Sequence, residues 1–190
     1  MITPLRQRGL PALIVLLALL AGCTLGVSEN EPGGGAINIT TVPLIAVGDR
    51  APGPGVCGET LDDDDLCLEA LSGSPTLVNF WASWCGPCAR EVPELIDIAT
   101  EYDGRAHLVG VNAQDSRTNA RSFERDQGVN YPSLFDDDSS IAAAFGGIAP
   151  EALPSTILLD AESRVAVRIF GAVSAATLRP YLDALLLEAS

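Results

Sequence analysis

Asn79-Phe80-Trp81-Ala82-Ser83-Trp84-Cys85-Gly86-Pro87-Cys88 is the stretch on which the fold turns. Thr76 to Trp81 is a short run of apolar, β-branched and aromatic residues, which predicts a buried strand. A turn stops it. Val92, Leu95, Ile96 and Ala99 then recur at helical spacing, with Glu91, Glu94, Asp97 and Glu101 on other faces. Two cysteines with two residues between them therefore stand at a strand-to-helix junction. A thiol there faces unpaired backbone N–H groups and the positive end of the helix dipole. Both favour the thiolate, which is the nucleophile. Cys85 is expected to be the exposed attacking sulfur. Cys88, one turn in, is expected to be more buried and to resolve a mixed disulfide. Pro87 has φ preset for a first helical turn and lacks a donor that would be orphaned there. Gly86 leaves room for a partner chain.

The string Trp84-Cys85-Gly86-Pro87-Cys88, preceded by Phe80-Trp81-Ala82, resembles the active site of the thioredoxin superfamily. The flank Ala89-Arg90-Glu91-Val92-Pro93 narrows that resemblance to the exported TlpA/ResA-like thiol-disulfide oxidoreductases. Pro93 matches the kink proline of their active-site helix, and Glu91 the acidic residue near their buried cysteine. The resemblance covers about Gly48 to Leu187. It implies an α/β, thioredoxin-like fold, a central mixed sheet flanked by helices. It implies Cys85, Cys88 and Glu91 as the catalytic set. Asn79 stands where cytoplasmic thioredoxins carry a buried aspartate, so proton handling is assigned to Glu91. Trp84, Gly86, Pro87, Leu153 and Pro154 are the residues implied to meet substrate.

A lone C-x-x-C also reads as half a zinc site. Zinc wants four ligands, commonly Cys or His. The chain has one histidine, His107, in an apolar strand pattern, and the spacing of Cys57 and Cys67 is not that of a zinc knuckle. Neither a metal nor a cofactor is expected.

The 190 residues suffice for one domain with a proper core. Arg6 and Arg8 followed by the apolar run Leu10 to Leu20 have the length of a signal-peptide core. Leu20-Ala21-Gly22-Cys23 resembles a bacterial lipobox, in which the cysteine is acylated and becomes the mature N-terminus. An ordinary signal peptide or an uncleaved anchor would export the domain equally. The expected organisation is a signal peptide over 1–22, a lipidated and flexible linker over 23–46, and the thioredoxin-like domain over 47–190. Glu29-Asn30-Glu31-Pro32-Gly33-Gly34-Gly35 has the composition of an unpacked tether. Export permits disulfides. With Cys23 lipidated and Cys85–Cys88 the redox pair, Cys57 and Cys67 are left to each other. A structural staple and a second redox pair are both open. The staple is favoured, because nothing places those sulfurs at a helix dipole.

The formal net charge is −14, and the leader holds two arginines and no acids, so the mature chain stands at −16. Such a surface argues against nucleic acid and against electrostatic adhesion to anionic lipid. A lipid anchor would be what holds it at a membrane.

Further along, Ile37 to Val47 alternates weakly and predicts a first edge strand. Leu66 to Leu71 reads as a short segment before the central strand. Ala106 to Ala113 is a second buried strand. Ser116 caps a helix running to about Asp126, whose Arg117, Arg121 and Arg125 read as a solvated face. Tyr131 to Phe135 is a short strand, and Asp136 to Ser140 turn and cap the helix Ile141–Phe145. Pro154 should open the strand Ser155 to Asp160. The resemblance makes it a cis-proline opposite the cysteines, with Leu153 offering its backbone to an extended substrate. Arg164 to Phe170 folds back as a hairpin, and Ser174 to Leu187 is a last amphipathic helix.

The resemblance implies an enzyme, a protein-disulfide reductase. Its substrates would be protein thiols and disulfides, its process cytochrome c maturation, and its electron donor a membrane carrier of the CcdA/DsbD type. A monomer on the extracytoplasmic face of the cell membrane is expected. The Gly-Pro dipeptide supports the reducing direction, since oxidising relatives often place a histidine between the cysteines. Two other classes are a peroxidase of the same fold, which would want Thr or Ser where Ala82 stands, and a non-enzymatic metal-binding or chaperone module.

Overall fold

The computed structural model describes residues 42–146 and 152–190. The leader, Cys23, the glycine-rich tether and residues 147–151 lie outside it. A hairpin comes first: β1 (Cys57–Glu59) runs antiparallel to β2 (Asp65–Cys67), with Cys57 opposite Cys67. A 3₁₀ turn over Leu68–Leu71 completes the segment before the central strand. Then come β3 (Thr76–Trp81), α1 (Gly86–Glu101), β4 (His107–Ala113), α2 (Arg117–Gln127), β5 (Ser133–Asp136), α3 (Ser140–Ala144), β6 (Ser155–Leu159), β7 (Val165–Phe170) and α4 (Ala175–Glu188). Five strands form one sheet in the order β5-β4-β3-β6-β7. β3, β4 and β5 are parallel, while β6 and β7 return antiparallel, so the sheet is mixed.

Every residue of β3 is buried, as befits a strand with elements on both of its faces. Its period of two divides the core. Leu77 joins Leu158, Val167 and Ile169 with Leu95 and Ile98 of α1 and Leu178, Leu182 and Leu185 of α4. Val78 and Phe80 join Val109, Val111, Ile157 and Leu159 on the other face, closed by Leu134, Ile141 and Phe145. Phe80 and Phe145 meet edge to face, ring centroids 5.4 Å apart.

The helix ends follow from their caps. Ser116 Oγ accepts from Asn119 N–H at 3.2 Å, and Ser174 Oγ from Thr177 N–H at 3.2 Å. Gly128 ends α2 with φ +71°, a conformation open to glycine at no steric cost. For α3 the carboxylate of Asp136 accepts from the amides of Ile141 and Ala142, both at 2.9 Å.

Two expectations are corrected. Of the strand expected over Ile37 to Val47, residues 37–41 lie outside the described residues and 42–47 form no strand. Pro43 has no N–H for a ladder, and the segment reaches β7 through single bonds such as Ile45 N–H to Ala166 O at 2.9 Å. The arginines of α2 are not simply a solvated face. Arg117 donates to Thr60 O at 2.8 Å and pairs with Glu59 at 3.0 Å and with Asp63, while Arg121 reaches Asp63 and the carbonyl of Leu61. The acidic hairpin loop supplies the counter-charges, so two of the three arginines grip the hairpin. Among the described residues Arg125 pairs only with its neighbour Asp126.

Candidate active site

β3 ends at Trp81, and Ala82 to Trp84 turn the chain into α1. Asp115 braces that turn. Its carboxylate accepts from Ser83 N–H at 2.6 Å and from Ser83 Oγ–H at 2.9 Å, and Asn112 Nδ2 donates to it at 3.2 Å. Trp84 Nε1 donates to Gln114 O at 3.1 Å, which fixes an indole that is 56% exposed. Cys85 is the N-cap of α1, and its Sγ accepts from Cys88 N–H at 3.2 Å. One donor of the helix N-terminus is therefore aimed at sulfur. Cys85 and Cys88 are joined in a disulfide, their Cα atoms 5.3 Å apart.

Cys85 is 5% exposed and Cys88 not at all. The order matches expectation, but Cys85 is not an exposed residue in this oxidised state. Its sulfur turns back into the first turn of α1 and packs in a cluster with Leu61, Trp81, Ala82, Cys88 and Ala120. The open lip is formed by Trp84, Gly86 and Pro87, all exposed. A Cβ built on Gly86 would meet only Arg90 Nη1, at 3.9 Å.

Glu91 lies three residues after Cys88, on the same side of α1, and is 2% exposed. Asn79 Nδ2 donates to its Oε1 at 2.9 Å and to Thr156 Oγ1 at 3.2 Å. The N–H of Val173 donates to its Oε2 at 2.9 Å. Burial pushes its carboxyl up to about 7, against the opposing pull of the Val173 and Asn79 hydrogen bonds. A carboxyl behind a redox pair that exchanges its proton near neutrality can take and return one. Pro93 sits inside α1 and removes the amide that would bond Ala89 O.

The Leu153–Pro154 peptide is cis. Pro154 is buried, Gly171 N–H donates to its carbonyl at 2.8 Å, and Leu153 packs against the cluster that contains Cys85 and Cys88. Chain segments far apart in sequence thus meet at the cysteines. Cys57 and Cys67 do not join them. They are bonded to each other across the β1–β2 hairpin, with Cys57 exposed and Cys67 half-buried. His107 heads β4 opposite Thr76, at the end of the sheet away from Trp81. Among the described residues no cluster of three potential metal ligands occurs, and no helix is long and apolar enough to cross a membrane.

Several residues here were not legible one at a time. Trp81 Nε1 donates to Ser133 Oγ at 3.2 Å, and both atoms sit over Gly110. A Cβ on Gly110 would stand 2.1 Å from that hydroxyl and 2.8 Å from the indole nitrogen, so only glycine fits. Beside Ser133 lies Glu124 of α2, whose Oε1 is buried without a hydrogen-bond partner among the described residues. Burial pushes this carboxyl up to about 7 as well, with the Ser133 hydroxyl pulling down and Asp62 adding to the rise. No local signal in the sequence marks Glu124, because its neighbour Ser133 lies on β5.

Residues 47–168 match the AhpC/TSA family. Among characterised proteins, the chain is 25% identical over 139 residues to the thiol-disulfide oxidoreductase ResA of Bacillus subtilis, covering 73% of this chain and 76% of that one. It is 29% identical over 178 residues to the thiol:disulfide interchange protein HelX of Rhodobacter capsulatus, covering 92% of each. Among solved structures, a DsbF homologue from Corynebacterium diphtheriae superposes with a TM-score of 0.71 at 31% identity, covering 82% of this chain and 96% of that one. With the mixed sheet and the cysteine-capped helix already in place, these matches make the chain a member of the AhpC/TSA family, built on a thioredoxin-like fold.

Proposed function

We propose that this protein is a thiol-disulfide oxidoreductase that reduces protein disulfides outside the cytoplasm. The observation that carries the reading is the Cys85–Cys88 pair at the N-terminus of α1, with Cys88 N–H directed at Cys85 Sγ. In the reduced state the Cys85 thiolate attacks a substrate disulfide. One substrate sulfur leaves as a thiolate and takes a proton, while the other stays bonded to Cys85. Cys88 loses its proton and attacks Cys85 Sγ. The mixed disulfide breaks, and the second substrate sulfur leaves reduced. Two electrons pass from the dithiol to the substrate, and Cys85–Cys88 closes. Glu91 accepts the Cys88 proton. Trp84, Gly86 and Pro87 form the lip on which substrate lies, and Leu153 with Pro154 holds its extended chain.

The names of the ResA and HelX relatives support thiol-disulfide exchange as the activity. The Gly-Pro pair between the cysteines supports the reducing direction. The setting proposed here is a monomer anchored by a lipid on Cys23 at the extracytoplasmic face of the membrane. A membrane carrier of the CcdA/DsbD type recharges it, and its substrates are the haem-binding thiols of cytochrome c maturation. Insulin reduction in the presence of dithiothreitol tests the chemistry: turnover that vanishes in Cys85→Ser supports it, and peroxide consumption without disulfide reduction refutes it. Trapping with Cys88→Ser in cells tests the substrate class, because the stalled mixed disulfide names the partner. Membrane fractionation of Cys23→Ser tests the anchor, which unchanged partitioning would exclude.

A further inference from the structure

Leu61 stands between the two disulfides. It lies in the β1–β2 hairpin beside Asp62, Asp63, Asp64 and Asp65, all exposed, yet it is itself 1% exposed. Its side chain belongs to the cluster of Trp81, Ala82, Cys85, Cys88 and Ala120. The hairpin therefore delivers one apolar side chain to the redox pair.

A two-stranded hairpin of three facing pairs does not hold itself in water. This one is held at its base and at its loop. At the base, Cys57 and Cys67 face each other and are bonded. A Cβ on Gly58 would touch Ile141 and Leu134 at 3.3 Å, so the backbone lies close on β5 and α3. At the loop, Leu61 N–H donates to Ser133 O at 2.8 Å, Thr60 bridges Leu134, and Arg117 with Arg121 takes the carbonyls of Thr60 and Leu61. The amides of Asp62 and Asp64 close the turn onto Thr60 Oγ1 at 3.3 and 3.2 Å.

An apolar cover opposes ionisation of a thiol, whereas a helix N-terminus favours it. Leu61 supplies the first of these at a sulfur that already has the second. We infer that Leu61 is a positioning residue of the redox centre, and that the Cys57–Cys67 disulfide acts on Cys85 by keeping Leu61 in place. The inference rests on the assignment of Cys85 as the attacking thiol.

The test uses the full chain carrying Cys23→Ser and Cys88→Ser, in which Cys85 is the one cysteine outside the Cys57–Cys67 pair. The rate and pH midpoint of Cys85 alkylation by iodoacetamide are measured. Leu61→Ala should raise the rate at pH 6 by about two- to fivefold and lower the midpoint, because the thiolate gains water. Cys57→Ser with Cys67→Ser should move both in the same direction. The combination should go no further than Leu61→Ala alone. An unchanged midpoint in Leu61→Ala overturns the inference, as do effects that multiply in the combination. If the chain without the second disulfide does not fold, Leu61→Met is read beside Leu61→Ala: it keeps an apolar cover and should leave the midpoint at the parent's value, and a shift as large as that of Leu61→Ala overturns the inference. Failure of the underlying assignment is distinct: Cys85 would alkylate like a free thiol in the parent, and Cys85→Ser in the otherwise native chain would leave insulin reduction intact.

Discussion

The two disulfides are the same covalent bond in opposite surroundings. Cys85–Cys88 sits at a helix N-terminus, within a buried cluster and in front of a buried carboxyl. Cys57–Cys67 crosses a short antiparallel hairpin, half in water, and Cys67 precedes only the 3₁₀ turn Leu68–Leu71, from which its sulfur accepts no hydrogen bond. The first has a donor aimed at one sulfur and a buried carboxyl three residues after the other. The second ties two chain segments together. The proposed activity thus hangs on the backbone and carboxyl around the first pair, and the comparison can be broken at each of those points.

The largest effect is expected from the sulfurs themselves. Cys85→Ser should lower insulin reduction by about a thousandfold or more, since the nucleophile is gone. Cys57→Ser with Cys67→Ser should keep turnover within about fivefold of the parent. Comparable losses in both would erase the distinction. The same double substitution should instead appear in stability. The closed loop is short, and its removal should cost about 2–3 kcal/mol in denaturant unfolding.

Glu91 sharpens the contrast next, because the hairpin disulfide has no counterpart to it. Its carboxyl, near 4.5 when unfolded, is pushed up to about 7 in the fold by burial. Between those values the folded protein holds a proton that the unfolded chain releases. Its contribution to stability is therefore full below the lower value and is lost as pH rises through the upper one. Going from pH 5 to pH 8 should cost on the order of 2 kcal/mol through this group, and Glu91→Gln should remove that slope. Glu124 is raised to about 7 for the same reason but is only half-buried, so solvent screens it and it should leave a smaller slope behind. Insulin reduction by Glu91→Gln should also lose its pH dependence around neutrality. An unchanged profile would detach Glu91 from the chemistry.

Both disulfides were legible in the sequence, but what surrounds the second was not. Strand β3, the cysteine cap of α1 and the strand opened by Pro154 all follow from local signals: an apolar run, a cap position, a proline that must stand at a strand start. Asn79 and Glu91 were paired by the thought that one carboxyl replaces another, and they are in hydrogen-bond contact. Leu61 was invisible because four aspartates follow it, and local composition there reads as exposed loop. Gly110, Ser133 and Glu124 meet only once β4, β5 and α2 are assembled. The weak alternation of Ile37 to Val47 misled over its described part, residues 42–47, because it carries no information about whether a neighbouring strand has a free edge. The arginines of α2 misled for the opposite reason: their partners lie more than fifty residues earlier, on the hairpin.

That arginine grip gives the smallest effect, and it separates what the staple does from what charge does. Arg117 and Arg121 are partly exposed, at 28% and 41% of their side chains, and their carboxylate partners more so. Ion pairs of this kind contribute about 0.2–1 kcal/mol and fade with salt. In the parent, Arg117→Ala should therefore cost little by way of Glu59 and Asp63. What it loses beyond that is a carbonyl hydrogen bond to Thr60 and the guanidinium stacked over Phe135, 4.4 Å from the ring centroid, neither of which salt removes. With Cys57 and Cys67 bonded, the hairpin opens only with much of the domain, and the cost is read in global unfolding. Without the bond, the hairpin can open by itself, and the same substitution should appear as faster amide exchange at Gly58 to Leu66 with little further change in the global midpoint. Equal exchange in the two backgrounds would mean that the contacts of Leu61 and Thr60 with β5 hold the hairpin unaided, and that its disulfide is incidental to where Leu61 stands.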